Sequence, residues 1–98
     1  MNMGTRRALV EEHRAEIAAL ARRHRGRSIA IFGSVARGED GAGSDIDFLV
    51  DFEPGSSLFD LLHLQDELSA LLGTSVDVVS VGGLKPRDER IRLEAIPL

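Results

Sequence analysis

The run Asp45-Ile46-Asp47-Phe48-Leu49-Val50-Asp51-Phe52 constrains this chain more than any other. Successive side chains of a strand face opposite ways, so Ile46, Phe48, Val50 and Phe52 share one face and Asp45, Asp47, Leu49 and Asp51 the other. That pattern is a strand with one apolar face, and such a strand needs neighbours and a covering layer. Two further runs supply neighbours. Residues 28–32 (SIAIF) read as a short buried strand, and residues 75–81 (SVDVVSV) as a third strand with Asp77 inside it.

Helical patterns supply the cover. Leu9, His13, Ile17, Leu20 and His24 recur at helical spacing, which predicts one helix over 5–24 with Gly26 as its stop. A turn and a helical beginning follow at 33–37, then a glycine-rich loop over 38–44. Pro54 and Gly55 close the central strand, and Ser56 or Ser57 caps a helix running to about Leu72 and stopping at Gly73. Its apolar stripe is read as Leu58, Leu61, Leu62, Leu68 and Leu72, widened by Leu64 and Leu71, and the extra width leaves room for an oligomer or a partner interface. Residues 85–95 read as a final short helix with Pro86 near its start. The expected architecture is α/β (α+β): a small three-stranded mixed sheet flanked by helices. With 98 residues there is room for one core, so 1–98 is expected to be a single domain.

Composition narrows the function classes. At 43% hydrophobic and 29% charged residues, the chain reads as globular rather than disordered. It has no cysteine, which excludes disulfides, cysteine-based zinc sites and thiol chemistry. The N-terminal stretch is charged throughout, with no run apolar enough for a signal peptide or a membrane span, so the expected compartment is the cytoplasm. A net charge of −4, no Trp or Tyr and four Phe argue against direct nucleic-acid binding, because neither a basic surface nor a stacking platform is present.

The chemistry concentrates in Gly33-Ser34 and, ten residues on, Asp45-Ile46-Asp47. A helix beginning directly after a strand presents backbone N–H groups to an anion, glycine allows close approach, and the Ser34 hydroxyl adds a donor. Arg37, three residues on, is a further phosphate candidate, with a solvated loop cation as the equal alternative. Carboxylates at i and i+2 of a strand share a face, where both reach one hard divalent ion. Asp77, inside another strand, adds a third carboxylate that is costly to bury without a cation. The glycines at 38, 41 and 43 precede a strand rather than open a helix, which sets aside a dinucleotide-binding reading. Glu39, Asp40 and Asp51 read as solubility residues, His13 and His24 as core-edge or interface histidines, and His63 as an exposed flank.

On these residues the chain resembles the minimal nucleotidyltransferase (MNT) domains of the DNA polymerase beta-like nucleotidyltransferase superfamily. The resemblance is carried by Gly33-Ser34-Val35-Ala36-Arg37-Gly38, by Ser44-Asp45-Ile46-Asp47, by the strand Val76-Asp77-Val78-Val79 and by the tail from Leu84 to Leu98. It implies that Gly33 and Ser34 contact phosphate, that Asp45 and Asp47 are metal-binding carboxylates, and that Asp77 is the third, helping to activate the attacking hydroxyl. It implies two Mg²⁺ ions and ATP as substrate. It also implies a HEPN-domain toxin as partner, with this chain as the antitoxin that transfers AMP to a hydroxyl of that toxin, a tyrosine in some members. Two alternatives stay open: an antitoxin that neutralises by binding alone, and nucleotidyl transfer to a small molecule.

Overall fold

The computed structural model describes residues 5–39 and 45–98. Two helices, α1 (Thr5–Glu12) and α2 (Arg14–Arg23), lead into β1 (Gly26–Phe32) and a single helical turn, α3 (Gly33–Ala36). β2 (Ile46–Phe52), α4 (Leu58–Leu72) and β3 (Val76–Ser80) follow. Two 3₁₀ turns, Val81–Gly83 and Pro86–Asp88, then lead to α5 (Glu89–Glu94) and β4 (Ile96–Pro97).

The sheet is mixed and runs in the order β3-β2-β1-β4. β2 lies antiparallel to β1 and parallel to β3. The fourth strand corrects the three-stranded expectation. Ile96 and Pro97 pair antiparallel with Ile31 and Ala30, and the Leu98 N–H donates to the Ile29 carbonyl at 3.0 Å. Two residues are too few to show a period in the sequence; the strand exists because the outer edge of β1 is there to receive it.

The alternation in β2 sets the layers. Ile46, Phe48 and Val50 are completely buried against Ile31 of β1, Val10 of α1, Ile17 of α2, and Leu64 and Leu68 of α4. Each such side chain contributes about 1.5–3 kcal/mol on burial. The opposite face carries the aspartates, yet Leu49 on that face is also buried, since the turn Val81–Gly83 packs beside β2.

The first helix is broken where one continuous helix over 5–24 was expected. His13 Nδ1 lies 3.1 Å from the Leu9 carbonyl oxygen, and His13 leaves helical geometry with ψ 19°. The break is confined to that residue, since the His13 N–H still donates to the Leu9 carbonyl at 3.2 Å and the His13 carbonyl accepts the Ile17 N–H at 2.9 Å. The stop after α2 also differs. Arg25, not Gly26, takes the left-handed turn with φ 70°, while Gly26 opens β1 in a space where a β-carbon would lie 3.0 Å from both the Ala21 carbonyl oxygen and Val50.

α4 begins as expected at Ser57, whose N–H donates to Asp60 Oδ2 at 2.9 Å, and ends at Gly73 with φ 67°. Its apolar stripe is rotated from the sequence reading. Leu64, Leu68 and Leu72 are the buried set, whereas Leu58 and Leu62 are exposed. Gln65 on α4 accepts the Val78 N–H at 2.9 Å and so satisfies a donor of edge strand β3. The helix expected over 85–95 is a 3₁₀ turn followed by the short α5.

Candidate active site

The site forms where β1 ends and its neighbours β2 and β3 begin, side by side. Gly33 follows the last residue of β1 with φ 76°, and a β-carbon there would lie 2.5 Å from Asp47 Oδ2. Glycine is therefore needed twice, for the dihedral and for the close approach of the Asp47 carboxylate to the backbone. In the ladder Asp47 stands opposite Phe32 on one side and opposite Asp77 on the other. Directly opposed residues project to the same face, so Asp47 and Asp77 are cross-strand neighbours. Asp45 lies two residues before Asp47, immediately before β2.

The electrostatics follow from this crowding. The Asp47 carboxyl titrates above its ordinary range, first because it is partly buried, then because Asp77 and Asp45 stand nearby, while Arg37 opposes the shift. Asp45 and Asp77 are exposed. Among the described residues no three carboxylates or histidines close into a ready metal-binding group. The three aspartates share a region without converging, as unneutralised like charges tend to do. Their donors are all hard oxygens, the set that suits Mg²⁺ or Mn²⁺ rather than zinc.

Ser34 is half-buried in α3, a turn of four residues, and its carbonyl accepts the Glu39 N–H at 2.8 Å. Arg37 ends that turn. Its Nε donates to Glu39 Oε1 at 2.9 Å and its Nη1 to Glu94 Oε1 at 3.0 Å. The hydrogen bond to Glu39, and next that to Glu94, raise the Arg37 pKa further. Arg7 of α1 braces the same turn, donating from Nη1 to the Ala36 carbonyl at 3.2 Å.

The structure thus gathers Gly33, Asp45, Asp47 and Asp77 in one place, with Ser34 and Arg37 on the adjoining turn. Asp40, Gly41, Gly43 and Ser44 lie outside the described residues. Glu39 does more than solvate the loop, since it holds Arg37. Asp51 pairs with Arg27 at 3.2 Å, away from the aspartate cluster. The histidines keep structural roles: His24 meets Glu67 at 2.7 Å, and His63 is exposed. Arg7 and Glu94 were missed by sequence reading. Arg7 lies 29 residues from its partner and Glu94 lies 57 residues from Arg37, so no local spacing signals either contact.

Known proteins converge on the same reading. The sequence profile of the nucleotidyltransferase domain matches residues 11–98. A protein of Methanocaldococcus jannaschii named "Putative protein adenylyltransferase MJ0435" is 40% identical over 88 residues, covering 89% of this chain and 95% of its own length. A solved structure described as a "putative minimal nucleotidyltransferase" superposes with a TM-score of 0.85 at 44% identity, covering 94% of this chain and 95% of that one. A second, described as a toxin–antitoxin with AMP-PNP, superposes with a TM-score of 0.64 at 26% identity over 72% of this chain and 59% of that one. The likeness to minimal nucleotidyltransferases carried by Gly33-Ser34 and Asp45-x-Asp47 holds. Among the described residues no helix is long and apolar enough to cross a membrane. The chain belongs to the nucleotidyltransferase domain family and is an enzyme of that class.

Proposed function

We propose that this nucleotidyltransferase is an antitoxin that transfers AMP from ATP to a hydroxyl, a tyrosine by preference, of a cognate HEPN-type toxin. The observation that carries the reading is the position of Asp47, pressed against the Gly33 backbone and flanked by Asp77 across the parallel ladder. A relative bearing the protein-adenylyltransferase name and a toxin–antitoxin structure holding an ATP analogue support it.

In this reading Gly33 lets the triphosphate approach the backbone, Ser34 donates its hydroxyl, and Arg37 offers guanidinium donors to phosphate oxygens. Asp45, Asp47 and Asp77 would hold Mg²⁺, which supplies charge neutralisation along the triphosphate. The acceptor oxygen bonds to the α-phosphorus, the bridging bond to the β-phosphate breaks, and pyrophosphate leaves. Asp77 favours removal of the acceptor proton. Protein surfaces supply the acceptor in this scheme, which is why a partner protein is part of it.

The test uses ATP labelled at either the α- or the γ-phosphorus, with the cognate HEPN-type toxin as acceptor. Label retained on the partner from the α position alone supports AMP transfer. Label from the γ position, or none from either while a stable complex still forms, overturns it in favour of phosphoryl transfer or neutralisation by binding.

A further inference from the structure

Arg37 is the one cation that the site's own turn supplies, and the two carboxylates that hold it differ in kind. Glu39 is two residues away, and its side chain is 64% exposed. Glu94 comes from α5, 57 residues on, and is 33% exposed. Glu94 is also anchored. It is followed within two residues by β4, which pairs with Ala30 and Ile31 of β1, the strand that delivers Gly33 and Ser34. The C-terminal segment therefore grips the phosphate turn at two points, through the backbone of β1 and through the guanidinium of Arg37.

We propose that Glu94 is a positioning residue, holding the Arg37 guanidinium in the orientation that meets the nucleotide's phosphates. This rests on the nucleotidyltransferase reading of the site.

Donor counting shows how one side chain serves both ends. A guanidinium has five N–H donors, and the bonds to Glu39 and Glu94 use one on Nε and one on Nη1. Both donors of Nη2 and the second of Nη1 are left for phosphate oxygens. A long, unheld arginine loses rotamer freedom on binding, a cost that a fixed partner removes in advance. A plain surface ion pair would contribute little to stability, which directs the expected effect to nucleotide affinity rather than to folding.

The experiment is a double-mutant cycle on ATP affinity, read by titrating ATP with Mg²⁺ into the wild type and into Glu94→Gln, Glu94→Asp, Arg37→Ala and the Arg37→Ala, Glu94→Gln pair. Immobilising one such side chain corresponds to about a 2–10-fold weakening in Glu94→Gln, with partial recovery in Glu94→Asp. Arg37→Ala is expected to cost about 10-fold or more, as loss of a charge-assisted contact. The decisive term is the pair. In the Arg37→Ala background, Glu94→Gln should add nothing, whereas a merely structural role for Glu94 would weaken binding further. Unchanged affinity in Glu94→Gln, additive losses, or tighter binding that marks Glu94 as a competitor of phosphate would each overturn the proposal while leaving the enzyme reading intact. Absence of ATP binding by the wild type would overturn that reading and this proposal with it.

Discussion

Replacing Gly33 by alanine separates backbone strain from loss of the site. At φ 76° an L-residue is in the left-handed region, which costs about 1–2 kcal/mol. The new β-carbon would also lie 2.5 Å from Asp47 Oδ2, so the carboxylate must turn away, adding about 0.5–1.5 kcal/mol for an off-rotamer side chain. Gly73→Ala is the matched control. Its φ is 67°, and nothing lies within 4 Å of the β-carbon it would gain. For a domain of this size 1 kcal/mol moves Tm by about 4–8 °C, so Gly33→Ala should melt several degrees below Gly73→Ala. Thermal unfolding followed by circular dichroism gives both values. Removing the carboxylate in Asp47→Ala should then make Gly33→Ala no worse than the control, a coupling of about 1 kcal/mol between the two sites. Nucleotide affinity should fall in Gly33→Ala and stay at the wild-type value in Gly73→Ala. Equal melting points for the two glycine variants, with no coupling to Asp47, would refute the placement of that carboxylate against the turn.

Other outcomes follow from the same structure. The folded-state pKa of Asp47 is raised, so the native chain binds this proton more tightly than the unfolded chain does, and stability falls as pH rises from below the ordinary aspartate range through the folded value. Asp47→Asn should therefore melt higher than the metal-free wild type at neutral pH, with the gap closing at low pH; a variant that melts lower at neutral pH contradicts this. ATP with Mg²⁺ should raise the wild-type Tm through linkage, by about 2.7 kcal/mol of stabilisation at one hundred times Kd, and should leave an Asp45→Ala, Asp47→Ala variant unmoved in a thermal-shift assay. In α4, Leu64→Ala should cost about 2–5 kcal/mol in urea unfolding because the side chain is fully buried. Leu58→Ala, at a site 67% exposed, should be close to neutral in the same assay.

The parts of the fold that sequence could show are those with local periodicity. The alternation through β2, the serine start and glycine stop of α4, and the β-branched run of β3 each fix their element within a few residues. The failures share a cause: the deciding contact is distant. α4 has leucine at seven of its fifteen positions, which is compatible with more than one stripe, and only packing against the sheet selects Leu64, Leu68 and Leu72. β4 is too short to carry a pattern and is made by the edge of β1.

The site divides in the same way. Gly33, Ser34, Asp45 and Asp47 are legible because strand and turn chemistry act over a few residues. That Asp77 stands directly opposite Asp47 depends on the parallel register of β2 and β3, which local sequence does not show. The hold of Glu94 on Arg37 exists only once the C-terminus folds back onto β1.

The central claim, AMP transfer to a partner protein, is tested most directly by intact-mass spectrometry. The chain would be incubated with ATP, Mg²⁺ and the cognate HEPN-type toxin, beside an Asp47→Asn control. The account predicts a mass gain on the partner equal to one or more AMP units, absent with Asp47→Asn. An unmodified partner in a stable complex, or an equal gain with Asp47→Asn, would contradict it.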